Sequence, residues 1–460
     1  MNSRLGEEQG TIGANGKRVW LYPKEVTGFF TRHRTHLAWV LMLIYLGVPW
    51  VRWHGDPIFL IDFPAQKLSL LGNNFWAKDI PLFLPLFFSF LLFVFLVTAR
   101  YGRVWCGWAC PQTVFLQFAF DPVEKFFEGK ASKRKERDQN PWTKEWIWRK
   151  TLKHACFAVI AWWIGNTALG YFWGTDKLTF AMLHPSMENW PGLVMVLIFS
   201  GFFYANFAFF REQACIMVCP YARLQSVIPD ENTSLISYDV GRGEKRGKGA
   251  GGSRVGFGDC TDCKQCVLVC PTGIDIRQGQ QLECIGCARC VDACDITMEA
   301  WKKPKGLVRY ASLREFQGKK PKGGPWRMLL YGALSMIMAT VSITLLIRRP
   351  IVSVDAVRSG SAPYTRVGGD SILNTFILHL RNNGSPQRIL KLEWSKGASG
   401  NSSWEGRTFA IPGGQSLDLP LEIRTATPDF KRGRLETEMV LVGNSTHVPF
   451  AIELAGPWGK

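Results

Sequence analysis

With 460 residues, 47% hydrophobic, and with 19 Trp and 31 Phe, the chain is long enough for several domains and too rich in large apolar residues for an ordinary soluble fold. Its formal charge of +18, from 55 Lys and Arg against 37 Asp and Glu, admits nucleic acid, anionic headgroups or loops retained on one face of a membrane. The basic residues are spread through loops between apolar stretches, which reads as topology and argues against nucleic acid.

Taken in order, Met1–Gly16 is polar and has no apolar core behind a basic start, so no cleavable signal peptide is expected. Residues 1–36 form a polar, basic segment ending in Thr31-Arg32-His33-Arg34-Thr35-His36. Leu37–Val51 follows, uncharged but only 15 residues long, short for a span of about 20. Four longer uncharged stretches are predicted spans: Ile80–Thr98 (19 residues), Ala155–Trp173 (19), Trp190–Phe210 (21) and Met328–Ile347 (20). Between them, residues 99–154 hold 12 Lys and Arg, including Lys133, Arg134, Lys135 and Arg137. Residues 52–79 hold three and residues 174–189 only Lys177. With five spans, the positive-inside rule puts the N-terminus and the 230–327 segment in the cytoplasm and the C-terminus outside; Arg348-Arg349 is a local violation outweighed by the basic stretch Lys302–Arg327. All 13 cysteines precede residue 295, so the exported segment carries no thiol to oxidise.

Two cysteine pairs stand after the second and fourth predicted spans: Cys106-Gly107-Trp108-Ala109-Cys110-Pro111 and Cys215-Ile216-Met217-Val218-Cys219-Pro220. If each helix continues past the membrane, cysteines at i and i+4 share a face and can close on one metal. The following proline would free the Gly107 and Ile216 carbonyls and kink the helix. Soft thiolates suit Cu(I), and Met217 could add a thioether. The other readings are small packing residues at helix ends, or an iron–sulfur centre on the same four thiols. Cys156, alone within the third span, reads as packing.

Residues 240–258, glycine-rich and basic, lack the order of a phosphate-binding loop and read as a flexible linker. Then Cys-x2-Cys-x2-Cys-x3-Cys occurs twice: Cys260, Cys263, Cys266, Cys270, and Cys284, Cys287, Cys290, Cys294. In two-cluster ferredoxins the fourth cysteine of such a run ligates the other cluster. One [4Fe-4S] cluster is therefore assigned to Cys260, Cys263, Cys266 and Cys294, and the second to Cys284, Cys287, Cys290 and Cys270. Pro271 follows the first run as the bacterial pattern expects, whereas Asp295 replaces the second proline, a departure expected to touch the turn after Cys294. Eight cysteines in duplicate register argue against structural zinc and against scattered buried thiols.

Beyond Pro350 the period becomes two: Leu390, Leu392 and Trp394; Leu417, Leu419, Leu421 and Ile423; Phe450, Ile452 and Leu454. Separated by turns such as Asn382-Asn383-Gly384 and Pro412-Gly413-Gly414, these predict antiparallel strands in a β-sandwich. His379 and His447 read as surface residues, and the sequon-like Asn401-Ser402-Ser403 is given no weight.

Trp105-Cys106-Gly107-Trp108-Ala109-Cys110-Pro111, Ala214-Cys215-Ile216-Met217-Val218-Cys219-Pro220 and the duplicated cysteine run, set between apolar spans, resemble the cytochrome oxidase accessory family called CcoG, FixG or RdxA. The resemblance covers nearly the whole chain. It implies a multi-domain membrane protein: a five-helix transmembrane region, a cytoplasmic two-cluster ferredoxin insert of α+β type, and a C-terminal immunoglobulin-like β-sandwich. The expected division is a cytoplasmic segment over 1–36, four spans with both Cys-x3-Cys-Pro motifs over 37–229, linker and ferredoxin over 230–327, a fifth span over 328–347, and a periplasmic domain over 350–460. The resemblance further implies a cupric reductase that supplies Cu(I) for assembly of the cbb(3)-type cytochrome c oxidase in the bacterial inner membrane. Cys106, Cys110, Cys215 and Cys219 match the family's membrane motif positions, and the eight later cysteines its cluster ligands. Expected partners are a cytoplasmic electron donor, oxidase subunits or a copper chaperone, membrane lipid, and a second copy in a homodimer. Two alternatives stand beside this: a quinol-linked electron-transfer protein, since NapH and NosR proteins resemble it, and a non-catalytic scaffold for oxidase assembly.

Overall fold

The computed structural model describes residues 18–457 apart from 54, 64, 248–255, 317, 320–325, 361, 369–370, 385, 396–399, 427–429, 431–432 and 444–445. The Met1–Gly16 segment and residues 248–255 of the expected linker lie outside the described residues. The chain divides into two compact units, Met1–Pro49 with Leu84–Val341, and Trp50–Phe83 with Ser342–Lys460.

The first unit is built on helices. Four are long and apolar enough to cross a membrane: Ala77–Tyr101, Lys144–Trp173, Trp190–Phe210 and Trp326–Ile347. Along Ile80–Tyr101 large apolar side chains such as Leu84, Phe87, Phe88 and Phe90 stay exposed, as an all-round apolar helix leaves them when its solvent is lipid. Ser89 and Ser335 exchange hydrogen bonds, Ser89 Oγ to the Ser335 carbonyl at 2.8 Å and Ser335 Oγ back to Ser89 at 3.0 Å. Such small polar residues join helices where lipid offers no hydrophobic drive between them.

The Leu37–Val51 stretch is not among the four. It is the second part of a helix, Phe29–Gly47, that begins eight residues before the expected boundary and passes into a 3₁₀ turn at Val48–Trp50. The sequence left Arg34 in a polar tail; the structure buries it, 1% exposed, because its guanidinium finds the Gly107 carbonyl and Gln117. Ala38 and Met42 of this helix pack with Phe115, Phe120, Phe157, Ile164 and Phe207 in one apolar core.

Beyond the spans, short elements replace the expected helix extensions. The Ile80–Tyr101 helix stops at Gly102, whose φ of 63° is left-handed, and the chain restarts as Val104–Trp108 and Pro111–Phe115. The Trp190–Ala205 helix widens into a π-turn over Asn206–Phe210 and breaks at Arg211, left-handed at φ 50°; a second π-turn spans Ala214–Val218 before the helix Pro220–Val227. An antiparallel pair, Leu235–Tyr238 with Val308–Ala311, brackets the duplicated cysteine runs. Part of the expected linker is folded: Val240–Gly243 is a helical turn capped by Asp239, and Arg242 pairs with Asp259 at 2.6 Å.

In the second unit, residues read only as a poorly basic loop make a three-stranded antiparallel sheet of Phe59–Asp62, Lys67–Leu70 and Asn73–Trp76. The C-terminal strands form two antiparallel sheets. One orders Asn401–Ser402, Ser416–Ala426, Ser371–Asn382 and Val352–Arg358; the other orders Thr408–Ile411, Arg388–Trp394, Arg434–Gly443 and Thr446–Ala455. Leu390, Leu392, Leu419, Leu421, Ile423, Ile452 and Leu454 point into one core shared by both sheets, so the period-two reading holds residue by residue. His379 is half-buried and pairs with Asp418, Nδ1 to Oδ1 at 2.7 Å.

Candidate metal centres

The two cysteine runs fold alike. In each, the third and fifth residues are left-handed: Asp262 (φ 51°) and Lys264 (φ 57°) in the first, Gly286 (φ 66°) and Ala288 (φ 59°) in the second. Each fifth residue precedes a helix, Gln265–Leu268 carrying Cys266 and Arg289–Ala300 carrying Cys290 and Cys294. After Cys270 the chain turns at Pro271, whereas after Cys294 the helix runs on to Ala300. The departure at Asp295 therefore lies inside a helix and not in a turn, where proline would delete a helical N–H. The Asp295 carboxylate also accepts from the Gly306 N–H at 2.9 Å.

Mutual repulsion shows which thiols belong together. Burial pushes Cys294 up to about 12, with Asp295, Cys260 and Cys263 adding to it. Burial likewise pushes Cys266 to about 12, opposed by Arg277 and reinforced by Asp275, Cys294 and Cys263. A cavity is lined by these same four cysteines, Cys260, Cys263, Cys266 and Cys294, with Arg277. In the other set, burial pushes Cys284 to about 12 with help from Cys287 and Cys270, and Cys290 is raised by burial, then Cys287, Cys284, Cys270 and Cys266. The fourth cysteine of each run thus lies with the first three of the other, as the crossed assignment requires, and the Cys266 contribution to Cys290 sets the two groups side by side. Among the described residues no three His, Cys, Asp or Glu side chains close down to single-ion spacing. Two four-thiol sets, each completed by a cysteine of the other run, fit a pair of [4Fe-4S] clusters.

Arg277 anchors the first set, with Nε and Nη2 on Asp275 at 2.8 and 2.6 Å and Nη1 on Asp262 at 2.6 Å. Cys263 is the exposed cysteine of the eight; Cys260, Cys266, Cys287 and Cys294 are buried.

The Cys-x3-Cys-Pro segments also fold alike, but not as helix extensions. Cys110 N–H bonds to the Trp105 carbonyl at 3.0 Å and Cys219 N–H to the Ala214 carbonyl at 2.9 Å, each spanning five residues. Cys110 and Cys219 are extended, at φ −63°, ψ 125° and φ −69°, ψ 111°, and each caps a new helix whose first residue is the proline. Proline with its fixed φ starts these helices instead of kinking old ones. The Gly107 carbonyl, left over, accepts from Arg34 Nε at 2.8 Å.

The sequence left open whether these two segments meet; they lie side by side, with Gln112 Nε2 donating to the Arg211 carbonyl at 3.1 Å. Burial pushes Cys215 up to about 12, followed by repulsion from Cys110, Cys106 and Cys219. Burial raises Cys106 as well, with Arg103 opposing and Cys110 and Cys219 adding. Cys106 Sγ donates to Gln225 Oε1 at 3.3 Å, and Gln225 in turn donates to Thr98 Oγ1 at 2.7 Å. Met217 is 48% exposed. Cys156 is half-buried on the Lys144–Trp173 helix.

This second site touches the second cysteine run. Cys106 shares one buried apolar cluster with Ile285 and Cys287. A Cβ on Gly107 would stand 2.5 Å from the Ile285 carbonyl oxygen and 2.9 Å from Cys287 Cα, and one on left-handed Gly286 would meet the Arg103 carbonyl at 3.3 Å. Trp108 Nε1 and Tyr310 Oη both donate to the Gly286 carbonyl, at 3.3 and 2.7 Å. Sequence reasoning missed Arg34, Arg103, Gln225 and Tyr310; the one available signal was the pair of charged residues beside helix ends, Arg34 and Arg103.

A model described as a 4Fe-4S dicluster domain matches residues 210–313, and one described as a 4Fe-4S binding domain matches residues 83–134. Protein RdxA of Cereibacter sphaeroides is 35% identical over 88% of this chain and 87% of its own length. The chain belongs to the RdxA/FixG family. The nitrogen fixation protein FixG of Rhizobium meliloti is 36% identical over 65% of this chain and 58% of its own length. Among solved structures, a FixG-related protein from Vibrio parahaemolyticus aligns at 15% identity over 24% of this chain and 98% of its own, with a TM-score of 0.20. Family membership, matched 4Fe-4S domains and four apolar helices make this a membrane protein of the iron–sulfur electron-transfer type.

Proposed function

We propose that this chain is a multi-pass inner-membrane cupric reductase, converting Cu(II) to Cu(I) for assembly of a cbb(3)-type cytochrome c oxidase. The observation that supports the reading is the burial of Cys106, one thiol of the Cys-x3-Cys-Pro pairs, against Ile285 and Cys287 of the second cysteine run. The chemistry that [4Fe-4S] clusters supply when bound is one-electron donation, the single electron that separates Cu(II) from Cu(I).

The chain's own residues have distinct tasks in this reading. Cys260, Cys263, Cys266 and Cys294 make the outer set, whose exposed Cys263 faces a cytoplasmic donor. Cys270, Cys284, Cys287 and Cys290 make the inner set. Cys106, Cys110, Cys215 and Cys219 receive copper, and as soft thiolates they favour the reduced ion. Gly107 and Gly286 remove the side chains that would separate the last two sets. The short helix Phe29–Gly47 serves as the first of five spans, the cysteine runs face the cytoplasm, and the C-terminal strands form a periplasmic immunoglobulin-like domain that meets oxidase subunits or a chaperone.

The test is anaerobic reduction of Cu(II) by the purified, reduced protein with Cys106, Cys110, Cys215 and Cys219 replaced by Ala. Reduction and copper binding should both be lost while iron content stays that of two clusters. Unchanged turnover and copper binding would remove these thiols from the function.

A further inference from the structure

Between the Cys106 thiol and the Cys284 run lies a cation that neither site explains. Arg103 is 8% exposed and lines a cavity together with Gln225, Gln281, Cys284 and Tyr310. Its Nη1 donates to the Leu282 carbonyl, two residues before Cys284, while Nε and Nη2 are buried without a hydrogen-bond partner. No carboxylate is paired with it among the described ion pairs. A buried, half-satisfied guanidinium costs several kcal/mol or is kept for a partner that arrives later. The thiols beside it are Cys284, which lines the same cavity, and Cys106, whose N–H donates to the Arg103 carbonyl at 3.1 Å. A neutral thiol accepts hydrogen bonds poorly, whereas a metal-bound thiolate accepts a charge-assisted one well.

We propose that Arg103 is a positioning residue between the two thiol sites: held by the Leu282 carbonyl, it presents its free N–H groups and fixed positive charge to the metal-bound thiolates of Cys106 and Cys284. The inference rests on the electron-transfer reading above and assigns the residue that joins its two sites. Its balance is that of the reaction already proposed, one electron leaving the reduced inner set and one Cu(II) becoming Cu(I), with no proton moved by Arg103. A fixed positive charge favours the more negative, reduced form of whatever the adjacent thiolates hold, and hydrogen bonds to sulfur act in the same sense. The outer set is served instead by Arg277, whose charge Asp275 and Asp262 neutralise. Of the two cluster sets, Arg103 therefore acts on the inner one.

The experiment is an anaerobic redox titration of the full-length, iron-loaded protein, followed by electron paramagnetic resonance, for the parent, Arg103→Gln and Arg103→Lys. In Arg103→Gln one of the two midpoint potentials falls and the other holds. Two potentials equal to the parent's would overturn the proposal, as would equal shifts in both. Arg103→Lys keeps the charge but loses the planar fork, so it decides the matter even where the Gln variant fails to hold iron. Its potentials stay near the parent's while reoxidation by Cu(II) slows about tenfold, the worth of one charge-assisted hydrogen bond. An unchanged rate in that variant counts against the positioning role. If the parent itself does not reduce Cu(II), the copper reading fails, and the Arg103→Gln potentials still test Arg103.

Discussion

Gly107 has no room for a side chain, since a Cβ there would stand 2.5 Å from the Ile285 carbonyl oxygen. Gly107→Ala should push the Cys106 segment off the second cysteine run at a cost of about 1–3 kcal/mol, the range for overpacking a tight contact. Iron content should persist and Cu(II)-driven reoxidation should slow, which stopped-flow absorbance would record; an unchanged rate would mean that the contact is not the electron route. A second residue holds together the helices that follow Ile80–Tyr101. Glu124 pairs with Arg134 at 2.5 Å, Arg211 at 3.1 Å and Lys153 at 3.3 Å. Burial alone would raise its carboxyl, but Arg211, Lys153 and Arg134 outweigh burial and hold it down at about 2. Because the folded-state value lies below the ordinary 4.5, this contribution is complete above pH 4.5 and is lost as pH falls toward 2. Glu124→Gln leaves three buried cations short of a partner and should destabilise by about 3–5 kcal/mol at neutral pH. Thermal melts from pH 6 to 2 should also show a shallower acid loss in the variant.

At the level of elements, the insert is tied to the first helix by one carboxylate. Asp292, in the helix Arg289–Ala300, accepts from the Phe30 N–H at 3.1 Å and from the Thr31 N–H and Oγ1 at 2.7 Å each, capping Phe29–Gly47 from outside its own sequence. Asp292→Ala should cost about 1 kcal/mol, as loss of a helix cap does. Amide exchange should quicken at residues 30–34 while both clusters still load; protection unchanged there would refute the cap. This cap explains why the sequence left Thr31–His36 in a polar tail. The local pattern ends in Arg32, His33 and Arg34, and only partners more than 70 residues away, Gly107, Gln117 and Asp292, make that stretch a helix. The same holds for the basic loop after the Ile80–Tyr101 helix. Its 12 Lys and Arg were read as topology, yet Arg134, Lys150 and Lys153 are spent in ion pairs with Glu124, Glu128 and Asp138. The helix breaks at Gly102 and Arg211 were not legible, because the apolar period stops at the membrane edge and nothing local says which way the chain then turns.

For the whole molecule, the apolar core of the C-terminal strands draws, among the described residues, on residues 352–454. A chain ending at Pro350 should therefore keep its iron and reduce Cu(II) at the parent's rate while losing oxidase assembly. Metal analysis and anaerobic turnover on the truncated protein check this. Lost cluster loading would show that the iron–sulfur sites depend on the strands, and retained assembly would remove the strands from partner binding.

What the sequence alone determined is whatever repeats at short range. Cysteine spacing grouped the eight thiols of the two runs into crossed sets, apolar runs of 19 to 21 residues named the four long helices, and period-two alternation named the strands facing the C-terminal core. These signals are local because ligand spacing, helix length and strand pleat are set by bonds along the chain. The tertiary structure alone decided that Cys106 and Cys110 neighbour Cys215 and Cys219, that Cys106 packs against Ile285 and Cys287, and that Arg103 lines a cavity with Cys284. Those contacts join residues more than 100 positions apart, where burial and packing decide and no spacing rule reaches.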